Sequence, residues 1–260
     1  MDIVVCVKRV PLTEEVDLVI DEQKKGIKKD QLAFVLNDWD NYAIEEAILL
    51  KEKYGGTVTA VTVGNENDEE VLRRCLAMGA DRAIRIEVDD ASKLDSFGIS
   101  KILSQAVKDL PYDLIFTGGL ADDDGYGMVG IMMAEELNVN HSCMVTSIEI
   151  DNRKARTTSE LEGGLGEISL VDLPAVITIQ TGINEPRYVS ILGIRKAAKK
   201  ELKIIGLSDL GISDEVLFPR VTIEEVYLPP ETEGAQILAG DPEKIASDVI
   251  EILTKKGVME

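Results

Sequence analysis

Asp113-Leu114-Ile115-Phe116-Thr117-Gly118-Gly119-Leu120-Ala121-Asp122-Asp123-Asp124-Gly125-Tyr126-Gly127-Met128-Val129-Gly130 changes character twice along its length. Asp113–Thr117 is a short apolar run with the pattern of a buried strand. Five glycines and three adjacent aspartates follow. Val129, Met132, Met133 and Leu137 then recur at helical spacing. A strand that passes through a glycine-rich loop into a helix is the unit of a parallel sheet. Such a loop can bring backbone N–H groups close to a phosphate. It is not a Walker A loop, because no Gly-Lys-Ser/Thr follows, and it is not GxGxxG in a first βα turn. The aspartates are adjacent rather than spaced as in a calcium loop, which speaks against a dedicated metal site. On these residues alone, an acidic turn that caps a helix explains the loop as well as a phosphate cradle does.

The same alternation extends outward. Ile3–Val7 predicts a first strand that ends at Lys8-Arg9-Val10-Pro11. Asp17–Ile20 predicts an edge strand before the lysine-rich turn 24–29. Ala43, Ile44, Ala47 and Ile48 predict a helix stopped by Gly55-Gly56. Thr57–Val63 reads as a strand, and Asn67 or Asp68 caps a helix with the stripe Val71, Leu72, Cys75 and Leu76. Ala83–Val88 is a further strand, and Ile99 to Leu110 carries a further helical stripe. Near-continuous apolar strands separated by helices predict a parallel sheet covered on both faces. Its ligand edge lies at the carboxyl ends of the strands. The loops 8–11, 37–40, 64–67 and 118–130 fall on that edge.

After about residue 142 the pattern changes. Met144–Ile150, Lys154–Thr158 and Ala175–Ile179 read as strands with no long helix between them, so the sheet gains strands of mixed direction. A short basic helix from Ile191 carries Arg195, Lys196, Lys199 and Lys200. Residues 201–240 lack periodicity, and a last helix begins at the cap Asp241-Pro242. The expected division is a nucleotide-binding α/β domain over 1–200 and a C-terminal arm and helix over 201–260. A long irregular segment needs a surface to cover, here that of a partner subunit.

The chain has 260 residues, 45 % hydrophobic and 29 % charged, and can bury a large core without disulfide or metal staples. Its 28 Lys and Arg against 48 Asp and Glu give a net charge of −20. That repels nucleic acid and does not suit a polybasic membrane surface. No apolar stretch approaches the ~20 residues of a membrane span. The three cysteines form no CxxC pair and suit a reducing, cytoplasmic setting. The first residues read straight into a strand without a basic n-region, which suits a bacterial or archaeal type of cytoplasmic protein or an already processed chain. Cys6 and Cys75 fall on core positions. His141, the only histidine, reads as a loop residue. Gly163-Gly164 is a hairpin signal rather than a carboxylate site.

Taken together, these segments resemble the β-subunit of electron-transfer flavoproteins. The resemblance rests on Val7-Lys8-Arg9-Val10-Pro11, on Asn37-Asp38-Trp39-Asp40 with Glu45-Glu46-Ala47, and on Met78-Gly79-Ala80-Asp81-Arg82-Ala83. Glu162-Gly163-Gly164, Leu173-Pro174-Ala175-Val176 and Asn184-Glu185-Pro186-Arg187-Tyr188 complete it, in shared order over residues 1 to about 205.

The resemblance implies a Rossmann-like (adenine nucleotide alpha-hydrolase-like) domain, paired with an α-subunit that holds most of one FAD. It implies transfer of electrons between NADH or a dehydrogenase and an acceptor, which can be an acyl-CoA dehydrogenase, a hydroxyacid dehydrogenase or a quinone reductase. The β-subunit holds a second nucleotide: AMP in housekeeping members, and in electron-bifurcating members a second FAD that accepts hydride from NADH. By the same resemblance, Val7, Lys8, Asn37 and Asp40 line the adenosine end, and Val63 and Gly64 border the ribose or flavin. Ala121, Asp122, Gly125, Tyr126, Gly127, Met128, Val129 and Gly130 wrap the phosphates. Tyr188, Ile191, Arg195, Lys196 and Lys199 belong to a partner-recognition segment, with Ile191 as apolar anchor. No catalytic side chain and no metal are implied. Three departures stand out. Asp38 replaces the family's usual proline, and Ser159 replaces a basic residue. The Asn-Gln-Thr stretch of AMP-binding members is missing near Gly127-Met128-Val129. The last favours FAD over AMP, with an AMP-stabilised structural subunit as the alternative. A stand-alone stress-protein-like nucleotide binder is the other alternative, and the arm argues against it.

Overall fold

The computed structural model describes residues 1–14, 16–30, 32–230 and 234–259. The elements in chain order are β1 (Asp2–Cys6), β2 (Arg9–Pro11), β3 (Phe34–Leu36), α1 (Asp38–Tyr54) and β4 (Thr57–Gly64). Next come α2 (Glu69–Met78), β5 (Arg82–Glu87), α3 (Ser96–Val107), β6 (Leu114–Gly118) and α4 (Val129–Leu137). The strands β7 (Asn140–Asp151), β8 (Lys154–Leu161), β9 (Leu165–Asp172) and β10 (Ala175–Ile179) follow. The chain continues with α5 (Ile191–Ala197), β11 (Leu202–Gly206) and α6 (Pro242–Lys255).

Nine strands form one sheet in the order β11-β5-β4-β1-β6-β10-β7-β8-β9. From β11 to β7 all neighbours run parallel, and β8 and β9 add an antiparallel hairpin at one edge. This is the mixed α/β sheet that the alternation predicts. The period-2 geometry of β1 divides the core. Ile3, Val5 and Val7 pack with α1 and α2 on one face, while Val4 and Cys6 pack with α3 and α4 on the other. Phe116 and Ile115 split between the same two faces. Burying each such side chain contributes about 1.5–3 kcal/mol. Two helix ends follow the sequence cues, Gly55 after α1 and Asp241 capping α6; Asp95 caps α3, and Asp68 precedes α2 without a side-chain cap.

Several local expectations change. Asp17–Ile20 forms no strand; Ile20 makes a single bridge to Ile27, while Val16, Leu18 and Val19 stay exposed and give it no face to bury. Arg9–Pro11, read as loop, pairs antiparallel with β3. His141 lies exposed within β7 rather than in a loop, because its neighbours pair with β10. The stretch 201–240 is not wholly irregular: β11 joins the sheet beside β5. Beyond it the chain leans on its own domain, with Arg220 stacked on Phe97 and the Lys25 ammonium on the carbonyls of Ile223 and Glu224. No residue of α6 is buried.

Candidate functional site

Strand order reverses at β1: the chain moves from β1 to β4 and β5 on one side, then to β6 on the other. The crevice between the carboxyl ends of β1 and β6 is therefore the topological switch point, where open α/β sheets bind ligands. Three of the expected loops meet there.

Asp40, in the first turn of α1, holds the crevice together. Its Oδ2 accepts from the backbone N–H of Lys8 at 2.8 Å, and its Oδ1 from that of Gly118 at 2.9 Å. It is 5 % exposed, and burial lifts its carboxyl to about 7, against the downward pull of those two N–H groups. Asn37 does the same work for the acidic loop. Its Nδ2 donates to the carbonyl of Leu120 at 2.9 Å, and its Oδ1 accepts from the N–H of Asp122 at 3.1 Å. The N–H of Asp38 donates to Asp122 Oδ2. Burial and the Asp122 charge raise the Asp38 carboxyl above its ordinary range.

Lys8 closes the other side. Its ammonium meets Asp123 Oδ1 at 2.5 Å and Asp124 Oδ2 at 2.8 Å. Burial pulls that ammonium down, but the two carboxylates outweigh it and raise it. Glycine is required around this cluster. A Cβ on Gly118 would stand 2.5 Å from Asp40 Oδ1, one on Gly119 2.6 Å from Met144 Sδ, and one on Gly130 2.5 Å from Thr117 Oγ1. Gly125 and Gly127 take φ of +64° and +60°, and Gly125 faces open space. Met128 precedes α4 without a side-chain cap, so the first N–H groups of that helix have no intrahelical partner and carry its positive dipole end. Tyr126 and Met128 are half exposed beside them.

Val7 is fixed through its carbonyl, which accepts from Thr62 Oγ1 at 2.7 Å. Val63 and Gly64 end β4 beside β1, yet no hydrogen bond among the described residues ties them to the acidic loop; the buried Arg85 donates to the Gly64 carbonyl instead. Burial raises the Cys6 and Cys75 thiols, which keeps them inert. Among the described residues no His, Cys, Asp and Glu side chains cluster as metal ligands. No described helix is long and apolar enough to cross a membrane.

The partner-segment residues lie elsewhere. Tyr188 is 95 % and Ile191 74 % exposed, and Arg195, Lys196 and Lys199 are exposed and make no ion pair among the described residues. Lys200 differs. Its ammonium is spent on the carbonyls of Leu76 and Ala80 at the end of α2, so it does not join the free cations. The roles of Asp123 and Asp124 as partners of Lys8, and of Trp39 as the floor under Gly118 and Gly119, are not visible in the sequence. Only the strand order, which sets β1 against β6, would have paired Lys8 with that loop.

The fold and crevice define an α/β protein with a glycine-rich acidic loop at its switch point. A model of the electron transfer flavoprotein domain matches residues 25–210. The chain is 41 % identical to the electron transfer flavoprotein subunit beta of Bacillus subtilis over 97 % of both chains. It is 35 % identical to that of Methylophilus methylotrophus over 98 % of both. It is 32 % identical to that of Homo sapiens over 90 % of this chain and 92 % of the relative. The chain belongs to the electron transfer flavoprotein β-subunit family.

Proposed function

We propose that this chain, paired with an electron-transfer flavoprotein α-subunit, holds a nucleotide in the β1/β6 crevice, and that this nucleotide is FAD serving electron bifurcation from NADH. The observation that carries the reading is the loop at Gly125–Met128. Two glycines at positive φ stand ahead of a helix without a side-chain cap, where AMP-binding members carry Asn-Gln-Thr. The crevice fits such a group: open space faces Gly125, and unpaired backbone N–H groups open α4.

When bound, FAD would supply hydride acceptance and one-electron transfer. The protein supplies position and electrostatics. Asn37 and Asp40 brace the loops that line the adenosine end. Gly125 to Gly130 let backbone N–H groups approach the phosphates, and the α4 dipole favours their charge. Lys8, expected at the adenosine end, meets Asp123 and Asp124 of the phosphate loop instead, and can exchange them for a phosphate oxygen. No side chain of this chain needs to act as nucleophile or general base. The segment 188–199 offers an exposed apolar anchor, Ile191, among free cations, which suits transient docking of a dehydrogenase. The arm beyond β11, with α6, supplies a surface for the α-subunit, and a reducing, cytoplasmic compartment suits the free thiols.

The test is the nucleotide released on acid denaturation of the co-expressed αβ complex. Two FAD per heterodimer and no AMP support the proposal. One FAD and one AMP make this chain the structural half of a simple electron shuttle, and the bifurcating reading falls.

A further inference from the structure

Helix α1 serves two places at once. Its first turn, with the preceding Asn37, braces the nucleotide loop as described. Its later turns carry Glu45, Glu46 and Glu52, and all three reach the segment that leads into Tyr188. Arg187 Nε lies 3.0 and 2.9 Å from the two oxygens of Glu45, and its Nη2 is 2.9 Å from Glu45 Oε1. Its Nη1 and Nη2 reach Glu52 at 2.8 and 3.2 Å. The Arg187 backbone N–H adds a bond to Glu45 Oε2 at 3.1 Å. Three residues earlier, Asn184 Nδ2 donates to Glu46 Oε2 and to the Tyr42 carbonyl. Glu45 is 3 % exposed.

Beyond this clamp the chain arches. A cavity of about 980 Å3 lies beneath it, lined by Phe34, Val35, Val71, Ala77, Val189 and Ile194. The far foot of the arch rests on α2. Arg73 donates to the carbonyls of Ala197 and Lys200, and the Lys200 ammonium returns to those of Leu76 and Ala80. Gly193 sits so close to α2 that a Cβ there would be 2.8 Å from the Ala77 carbonyl. From Gly193 on the segment rests on α2, so residues 188–192 are placed by the Arg187 clamp on one side and by that contact on the other.

We propose that Arg187 is the positioning residue of the docking segment 188–198, and that α1 thereby holds this segment and the nucleotide loop in one rigid frame. Arg187 does not touch the partner; it fixes Tyr188 and Ile191 before the partner arrives, so less ordering is left to binding. A planar guanidinium suits the task because it satisfies two carboxylates in a fixed fork, which an ammonium cannot reproduce. The inference rests on reading 188–199 as the docking segment.

The experiment uses the αβ heterodimer and a dehydrogenase that reduces it with saturable kinetics. Arg187→Gln is expected to raise the KM for the heterodimer about tenfold, with kcat and nucleotide content unchanged. Amide exchange over 188–198 should quicken while that of α4 stays as in the wild type. Arg187→Lys should restore part of the loss. Ile191→Ala should raise KM without altering exchange. If Arg187→Gln keeps wild-type KM and exchange while Ile191→Ala raises KM, the positioning role is overturned and the docking reading stands. If neither variant changes KM, both fall. Should Arg187→Gln fail to fold because it strands the buried Glu45, Glu52→Gln removes only the outer half of the fork. It should then raise KM and exchange in the same direction, and wild-type values for both would overturn the positioning role.

Discussion

The ammonium of Lys8 and the carboxylate of Asp123 meet at 2.5 Å, which ties the residues after β1 to the loop after β6 across the switch point. Both side chains are partly exposed, so the pair contributes at most about 1 kcal/mol to stability. On the proposed reading its importance is for the nucleotide. Asp123 and Asp124 occupy the Lys8 ammonium, and they would oppose a phosphate by charge. The Asp123→Asn/Asp124→Asn double variant should melt close to the wild type and lose nucleotide several-fold more slowly on dialysis at moderate salt. Lys8→Met should lose it faster. Equal loss rates in all three would place the phosphates away from Lys8.

Two glycines of the same loop should respond differently to one methyl group. At Gly118 the added Cβ would collide with Asp40 Oδ1 at 2.5 Å and Trp39 Cβ at 2.7 Å. Asp40 cannot retreat, since its other oxygen holds the Lys8 N–H. Gly118→Ala should cost about 2–3 kcal/mol, as overpacking does. At Gly125 nothing lies within 4 Å, and only the positive φ is strained. Gly125→Ala should cost about 1 kcal/mol. The melting temperatures of the two heterodimers should rank accordingly. The reverse order would mean that the crevice is looser than the contacts around Asp40 require.

Asp40 also makes stability depend on pH. Burial raises its folded carboxyl to about 7, above the ordinary value of 3.8. A carboxyl whose folded pKa is raised binds its proton more tightly in the folded chain. Its share of stability is therefore present at low pH and declines as pH climbs from about 4 to about 7. Urea midpoints of the wild type and Asp40→Asn, compared from pH 5 to 8, cancel the other carboxylates. The wild-type advantage should shrink as pH rises and level off above about 7. A gap that widens with pH would show that the two N–H donors outweigh burial.

How much of this was legible in the sequence differs by region. The parallel sheet was, because its strands are continuous apolar runs with helical stripes between them, and burial on both faces leaves such a pattern no other period. The loop 37–40 could be placed on the ligand edge, but Asn37 and Asp40 were singled out within it only by the resemblance to the family. The Asp17–Ile20 run misled because an apolar stretch becomes a strand only if a neighbour pairs with it, and Ile20 finds only Ile27. The β11 edge strand was missed because Leu202–Gly206 is mostly exposed or half-buried and its apolar residues do not form a run. The Arg187–Glu45 clamp spans 142 residues of chain, and no local pattern carries such a pairing.

The C-terminal helix leaves its apolar stripe only half covered. Ile245, Val249, Ile252 and Leu253 recur at helical spacing on α6, yet no residue of that helix is buried. Phe218, Tyr227 and Ile237 on the preceding arm are 71 %, 73 % and 89 % exposed. An amphipathic helix gains most of its stability from packing its apolar face, and a helix of this length is marginal alone in water. On the proposed reading the α-subunit covers that face. Each apolar side chain so covered should contribute about 1.5–3 kcal/mol to the association. Val249→Asp/Ile252→Asp should therefore weaken the heterodimer by about 3 kcal/mol or more, at least about a hundredfold in Kd. The α/β domain should keep its own circular dichroism, because α6 lends it no buried residue. The dissociation constant of the two subunits, measured by sedimentation, decides the matter: an unchanged value would leave α6 in solvent and move the α-subunit contact to another face.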